Sequence, residues 1–288
     1  MAHAHGGGYY VPHSSYWPIV GSVGLFVMMI GLAALLNGSS GSWLMYLGIG
    51  ILIYMVVGWF GNVIKESESG LYNEQMDRSF RWGMVWFIFS EVMFFAAFFG
   101  ALFYARQYSV PWLGGEGSKA VTHDLLWSGF GVEWPTNGPG EVGGRFEPMG
   151  AWGLPAINTL ILLTSGVTVT WAHWGLLEGK RKQLILGLAA TVALGFVFVG
   201  LQALEYLHAY HDMNLTLESG IYGSTFFMLT GFHGMHVTIG AIILLVILLR
   251  SLKGHFSPDK HFAFEAAAWY WHFVDVVWLG LFIFVYWL

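Results

Sequence analysis

The chain contains no cysteine, and that absence excludes disulfide bonds, thiolate metal sites and a cysteine nucleophile. It is also poor in charge: Asp, Glu, Lys and Arg make up 10% of its 288 residues, whereas a soluble domain usually has about a quarter. Its few Lys and Arg leave no basic surface for nucleic acid. Residues 1–13 lack a Lys/Arg-rich region and a small-residue cleavage site, so we expect no removable signal peptide. The histidines of this Gly-rich tail, which need no special role, are His3, His5 and His13.

What the chain has in abundance is apolar surface. Apolar residues make up 56%, and the 15 Trp and 13 Tyr are side chains that gather at membrane–water boundaries. Seven segments are long enough to cross a bilayer, which takes about 20 residues in a helix. The sequence therefore predicts an all-α integral membrane protein with seven transmembrane helices. The segments lie near Trp17–Leu36, Trp43–Ile64, Arg81–Tyr104, Pro155–Leu177, Leu184–Leu207, Ser224–Leu249 and Ala266–Leu288.

Two polar segments divide the predicted helices. A Gly/Ser-rich turn at 37–42 makes the first two helices an antiparallel pair, and a polar stretch at 65–80 separates this pair from the other five. We expect residues 1–64 to hold the tail and the helix pair, the polar stretch to form a cytoplasmic connection, and residues 81–288 to form a five-helix bundle. A long outer loop at 107–154, rich in Gly, Pro and Trp, either caps neighbouring proteins or serves as a loosely ordered spacer.

Positive charge sets the expected orientation in the membrane. Nine of the 12 Lys and Arg lie on the side that holds the N-terminus. Two of the remaining three fall in the long loop, where charge has little influence on orientation. The N-terminus is therefore expected in the cytoplasm and the C-terminus outside. The nine are Lys65, Arg78, Arg81, Lys180, Arg181, Lys182, Arg250, Lys253 and Lys260.

The last predicted helix carries three ionisable residues on one face. Glu265, His272 and Asp275 are separated by seven and then three residues, which places them on the same side of a helix. Ionisable groups in a membrane-length helix usually face protein, a bound headgroup or water rather than lipid tails. This face is either a polar stripe that joins helices or part of a functional surface.

A single acid, Glu91, lies inside the third predicted helix. It comes ten residues after Arg81, about 15 Å into the helix and so near the bilayer midplane. A carboxyl group there is expected to be largely protonated unless a cation or water solvates it, and hydrophobic carbodiimides attack such groups. Glu91 either has a function in proton chemistry or only donates a hydrogen bond to a neighbouring helix. Around it at helical spacing lie Met84, Phe87, Ile88, Phe94, Phe95 and Phe98.

His233 and His236 occupy adjacent positions on the sixth predicted helix. Two imidazoles form an incomplete zinc site, and no second set of His and carboxylate residues completes a redox centre. Neighbouring glycines favour close packing, with the imidazoles hydrogen-bonded across a helix interface, so we expect no metal. Glu205, with Gln202 and His208, forms a similar polar face on the fifth helix.

Short motifs along the chain follow the order of a known family. The last helix contains the run Phe264-Glu-Ala-Ala-Ala-Trp-Tyr-Trp-His-Phe-Val-Asp-Val-Val-Trp278. Other runs are Ser79-Phe-Arg-Trp-Gly-Met84, Ser90-Glu-Val-Met-Phe-Phe95, Ile157-Asn-Thr159, Ser165-Gly-Val167, Thr170-Trp-Ala-His173, Gln202-Ala-Leu-Glu-Tyr206, Tyr222-Gly-Ser-Thr-Phe-Phe227, Thr230-Gly-Phe-His-Gly-Met-His236 and His261-Phe-Ala-Phe-Glu-Ala266. Together they closely resemble subunit III of the haem-copper cytochrome c oxidases over nearly the whole chain.

The resemblance implies a supporting subunit of a proton-pumping oxidase. In this family subunit I holds the haems and the oxygen-reducing copper, subunit II usually carries the electron-entry copper, and subunit III binds no metal. The seven-helix count fits members that use cytochrome c, because subunit III of the related quinol oxidases generally lacks the first two helices. We therefore expect a bacterial inner-membrane protein that helps to deliver protons to subunit I and protects it during turnover.

The resemblance also implies a phospholipid-binding cleft between the helix pair and the five-helix bundle. Lys65 and Arg250 both lie on the predicted cytoplasmic side, where a phosphate headgroup could pair with them. The mitochondrial form has an arginine in place of Lys65, and lysine cannot make the same bidentate contact. The implied lipid-contacting positions are Trp59, Phe60, Lys65, Phe87, Glu91 and Arg250.

Two other functional classes compete with this interpretation. A self-contained proton or ion transporter would use Glu91, Asp275 and the histidines, but secondary transporters often show broken helices in corresponding positions of two halves, and none is visible. A membrane haem enzyme would need complete axial ligand sets, which the sequence does not offer.

Overall fold

The computed structural model describes residues 10–11 and 14–288. The tail histidines His3, His5 and His13 lie outside these residues. Within the described part of the chain, seven helices are long and apolar enough to cross a membrane, and no β-strand is present. The predicted all-α class with seven membrane-length helices is confirmed. The helices are α1 (Trp17–Leu36), α2 (Trp43–Glu68), α3 (Glu74–Tyr104), α4 (Leu154–Leu177), α5 (Arg181–His211), α6 (Gly220–Leu252) and α7 (Phe262–Leu281).

Most helices extend further than the apolar segments predict. The bounds of α1 are as predicted, but α2 continues to Glu68 and α3 begins at Glu74, so most of the connection expected at 65–80 is helical. Hydropathy reports the thickness of the bilayer, whereas a helix continues into water as long as its side chains allow. Asn73 begins α3, because its Oδ1 accepts a hydrogen bond from the backbone N–H of Met76 at 3.0 Å.

The chain forms two compact units, residues 1–82 and residues 83–288. In the first unit, α1 and α2 are antiparallel and approach closely through glycine. Gly31 lies against the backbone of Met45, and Gly48 lies against the backbone of α1. A larger side chain at either position would overlap the facing helix, so glycine sets the separation of the pair.

The second unit packs around Trp271 of α7, which is completely buried. Its indole Nε1–H donates a hydrogen bond to Ser165 Oγ on α4 at 2.9 Å. Its ring lies against Gly195 of α5 and Gly240 of α6, where an added Cβ atom would be 2.7 and 2.9 Å from ring atoms. The Trp271 indole therefore contacts α4, α5 and α6, where Ser165, Gly195 and Gly240 are small enough to leave space for it.

A second tryptophan of α7 repeats this arrangement two turns further along. The Trp278 Nε1–H donates to Thr159 Oγ1 on α4 at 2.9 Å. The Trp278 ring meets Phe198 of α5 edge-on, with the ring centroids 4.8 Å apart. Both indoles satisfy their only donor with a hydroxyl group, which makes their burial possible in an apolar bundle.

The segment between α3 and α4 is folded against the α5–α6 connection. The backbone N–H of Glu147 donates to the Met213 carbonyl at 2.9 Å, and Asn214 Nδ2 donates to the carbonyls of Gly143 and Arg145 at 3.2 and 2.9 Å. These hydrogen bonds hold the segment against the rest of the unit, and its role as a cap for neighbouring proteins or as a spacer stays a prediction. The segment also contains short helices at Val110–Leu113 and Ala120–Leu126, which its Gly- and Pro-rich composition concealed.

Substituting Gly240 by alanine is expected to lower the thermal unfolding midpoint of the detergent-solubilised protein. The new Cβ would lie 2.9 Å from the Trp271 ring, and overpacking of this kind costs about 1–3 kcal/mol. Gly234→Ala is the matched control, since Gly234 lies on the same helix with open space at its Cβ position. Both variants gain the same helix propensity, so equal midpoints would show that Trp271 does not constrain α6.

Candidate functional site

Glu91 of α3 and His236 of α6 form a hydrogen-bonded pair inside the second unit. The His236 Nε2 and the Glu91 Oε2 are 2.9 Å apart, and the two side chains are 8% and 22% exposed. The His236 Nδ1 lies 2.6 Å from the carbonyl oxygen of Phe232. A carbonyl oxygen only accepts, so Nδ1 carries a proton. One further proton between Nε2 and Oε2 completes the bond, and the pair is either neutral acid with imidazole or carboxylate with imidazolium.

Aromatic rings surround the Glu91–His236 pair. The Phe95 and Phe94 rings lie with their centroids 5.0 and 6.0 Å from that of His236. The Tyr270 ring stacks on the imidazole at 6.4 Å, and its hydroxyl donates to the His236 carbonyl at 3.4 Å. Few competing polar groups reach the pair, so its hydrogen bond forms in a medium of low dielectric constant, where it is stronger than in water.

His233 makes contacts of its own, one turn before His236 on the same helix. It is completely buried, and its Nε2–H donates to the Val274 carbonyl on α7 at 3.2 Å. The imidazole lies between the rings of Phe198 and Trp278, with centroid distances of 5.7 and 5.0 Å. The two imidazoles therefore hydrogen-bond to different helices, His233 to α7 and His236 to α3.

The three ionisable residues of α7 all face α4. Glu265 Oε1 is 4.0 Å from the Nε2 of His173. Two turns further along α7, His272 Nε2 is 3.3 Å from Thr170 Oγ1 of α4. The Nδ1 of the same imidazole is 3.5 Å from Asp275 Oδ2, and the Asp275 side chain is 8% exposed. The helix face therefore presents one partly exposed group, His272, beside a buried acid.

His173, His261 and Glu265 form a cluster that the sequence interpretation missed. The His261 Nε2 is 3.4 Å from Glu265 Oε1, and one ligand atom from each of the three residues lies within 4.8 Å of the others. Among residues 10–11 and 14–288, this is the one group of three such side chains close enough to share a metal ion. The spacing of His261 and Glu265, one helical turn, is visible in the sequence, whereas His173 joins them only through the packing of α4 on α7.

A further polar cluster lies toward the other end of the bundle. Glu205 of α5 is completely buried, and the Tyr286 hydroxyl donates to its Oε1 at 2.6 Å. Gln202, one turn away on α5, is also buried, as is Asn158 of α4. His208, the third residue of the predicted face, is instead exposed, and its Nδ1 lies 2.7 Å from Oδ2 of Asp212, the residue that follows α5.

The six positions implied for lipid contact fall in both units. In the first unit, Trp59 and Phe60 expose about half of their surface, and Lys65 lies in the last turn of α2. In the second unit, Phe87 exposes 47% of its surface, and Arg250 lies in the last turn of α6. The sixth position, Glu91, is the acid that is hydrogen-bonded to His236.

Replacing Glu91 by glutamine is expected to leave the protein nearly as stable, because the side-chain amide can donate to an unprotonated Nε2 of His236. Replacing His236 by phenylalanine leaves the carboxyl group without this partner and should cost about 1–3 kcal/mol. Thermal unfolding of both variants measures the difference, with His208→Phe as a surface control. A loss for Glu91→Gln as large as for His236→Phe would show that the pair depends on charges that glutamine cannot replace.

Comparison with known proteins gives the chain a family. The family model described as Cytochrome c oxidase subunit III matches residues 7–288. Cytochrome c oxidase subunit 3 of Squalus acanthias is 43% identical over 289 aligned residues, which cover 100% of this chain and 99% of that protein. The subunit 3 of Marchantia polymorpha is 43% identical over 275 residues, 95% of this chain and 93% of that protein. The resemblance seen in the motifs is confirmed, and the chain belongs to the cytochrome c oxidase subunit III family.

Proposed function

We propose that this chain is the non-catalytic subunit III of a proton-pumping cytochrome c oxidase. The observation that carries the proposal is the family match over residues 7–288. The haems and copper would belong to partner subunits: subunit I, which packs directly against this chain, and subunit II, with cytochrome c as the electron donor. The hydrogen-bonded acids and imidazoles of the bundle suit a role in packing and proton binding.

The first proposed role is support of proton uptake by subunit I. Glu265 with its two histidines lies where α4 ends and α7 begins, and His272 and Asp275 continue this row of titratable groups along α7. Groups of this kind at the predicted cytoplasmic side can take protons from water and release them again. The Glu91–His236 pair, which shares one proton, adds a site within the membrane-length part of the bundle.

The second proposed role is to hold phospholipid and to protect subunit I from inactivation during turnover. Lys65 and Arg250 each lie in the last turn of a helix that is predicted to end in the cytoplasm. A phosphate headgroup there would meet a cationic side chain, and the exposed rings of Trp59, Phe60 and Phe87 suit acyl chains. The lipid would thereby act as a structural component of the complex.

Comparison of the oxidase complex with and without this chain tests both roles. A mild-detergent preparation isolated through an affinity tag on this chain should contain haem absorption and the partner subunits by mass spectrometry. Removing the chain is expected to shorten the catalytic lifetime and to slow proton uptake, because the proton-binding groups and the packing surface are lost. A chain-free complex with an unchanged lifetime and unchanged proton uptake would contradict the proposal.

The same preparation separates the lipid role from the rest. The double variant Lys65→Gln with Arg250→Gln should retain the partner subunits but lose phospholipid phosphorus per haem and lose catalytic lifetime. Lys253→Gln, which removes one positive charge just beyond the end of α6, is the control. If the double variant kept all of its phospholipid, these two residues would not hold the headgroup.

We also propose a location in the bacterial inner membrane with a cytoplasmic N-terminus. Because the chain has no cysteine, one introduced cysteine reports the side of the membrane on which it lies. Ser118→Cys should react with a membrane-impermeant maleimide in intact spheroplasts, whereas Glu178→Cys should react only after permeabilisation. The reverse labelling pattern would refute this orientation.

A further inference from the structure

We infer that His173, His261 and Glu265 form a binding site for a divalent transition-metal ion of the zinc type. The inference does not rest on the proposed function, although the same three residues begin the proposed row of proton-binding groups, and it departs from the expectation that the chain binds no metal. The residues come from two elements: His173 lies in the last part of α4, His261 is the N-cap residue of α7, and Glu265 lies in the first turn of α7.

The distances between the ligand atoms are close to those of a metal site. His261 Nε2 and His173 Nε2 lie 3.4 and 4.0 Å from the same oxygen, Oε1 of Glu265. The ligand atoms of a tetrahedral zinc ion, bound at about 2.0–2.2 Å, are roughly 3.3 Å apart. All three atoms already lie within 4.8 Å of one another, so small side-chain rotations suffice to close the site.

The tautomer of His261 is fixed in the form that a metal requires. Its Nδ1 lies 3.2 Å from the Ser257 carbonyl oxygen, to which it can only donate, so a neutral imidazole presents the lone pair of Nε2 to the cluster. The carbonyl belongs to a tight turn that is closed by backbone hydrogen bonds between Ser257 and Lys260 in both directions. Metal-binding imidazoles typically donate their other N–H to such a carbonyl, which orients the ring.

His173 supplies the second observation that favours a ligand. Its Nε2 is shielded from solvent, and it makes no hydrogen bond to any residue in the described part of the chain. The 4.0 Å separation from Glu265 Oε1 is too long for a hydrogen bond. The ring is held by Phe264, with centroids 5.1 Å apart, so this nitrogen stays directed at the cluster. In the tautomer with the proton on Nδ1, this buried nitrogen has a lone pair without a donor, and a metal ion would stabilise it.

Accessibility and charge suit an exchangeable ion with a water ligand. The side chains of His173, His261 and Glu265 are 26%, 10% and 17% exposed, so the cluster lies near solvent, which could supply a fourth ligand. Two neutral imidazoles and one carboxylate resemble the donor sets of three protein ligands and one water that zinc accepts. The ion would link the end of α4 to the start of α7, so its binding should stabilise the folded bundle.

Zinc binding to the intact oxidase complex tests the inference. The complex is purified through a tag without histidine, carries His3, His5 and His13 replaced by alanine, and is freed of loose metal with a chelator. One Zn²⁺ per complex should then bind in a way that depends on the cluster, and His261→Ala or Glu265→Gln should weaken its affinity at least about tenfold. His208→Ala, which removes an exposed imidazole paired with a carboxylate, is the matched control and should bind normally.

Two further readouts keep the test decisive if a variant assembles poorly. The X-ray absorption spectrum of the bound zinc should show two imidazole ligands, and Zn²⁺ should raise the unfolding midpoint of the parent complex but not of Glu265→Gln. Equal zinc binding by the parent, His261→Ala and Glu265→Gln complexes would overturn the inference. So would a zinc spectrum without imidazole ligands. Neither outcome bears on turnover lifetime or proton uptake, so the proposed function would stand or fall separately.

Discussion

The packing of the second unit depends on the fit of one indole, Trp271, among three neighbouring helices. Gly195 and Gly240 leave the space that its ring occupies, and Ser165 accepts its only hydrogen-bond donor. Because the indole fixes the rotation of α7, it also fixes the directions of its neighbours in sequence. Tyr270 is thereby turned toward the imidazole of α6, and His272 is turned toward α4. The functional groups of α7 are thus positioned by an apolar side chain.

Three polar clusters lie at different positions along the bundle, and in each the acid has a different kind of partner or surroundings. In the cluster toward one end of the bundle, Glu205 accepts a hydrogen bond from the hydroxyl group of Tyr286. In the Glu91–His236 pair, an imidazole and a carboxyl group share one proton. The cluster around Glu265 lies at helix ends, where partial exposure permits charge and exchange with solvent. Each acid therefore has a polar partner, as the free-energy cost of burying a charged or polar group requires.

The sequence predicts the helix count and the depth of Glu91 because both follow from apolar length. It does not predict where α2 ends or α3 begins, since polar side chains can continue a helix beyond the bilayer. It also does not predict the partner of Glu91, which lies 145 positions further along the chain. Contacts of this kind depend on how helices pack. For the same reason, the spacing of His261 and Glu265 in the sequence predicts that these two side chains lie close together, whereas it does not predict that His173 joins them.

The short distance between Glu91 and His236 has a consequence for the response of the protein to voltage. Moving one elementary charge across the whole membrane changes the free energy by about 2.3 kcal/mol per 100 mV. A proton exchanged within this pair moves less than the 2.9 Å between the two heavy atoms, about a tenth of a hydrocarbon core of about 30 Å. A potential of about 100 mV therefore biases the transfer by at most about 0.2 kcal/mol, which is below thermal energy. The membrane potential therefore shifts the equilibrium of the proton between the two residues only slightly.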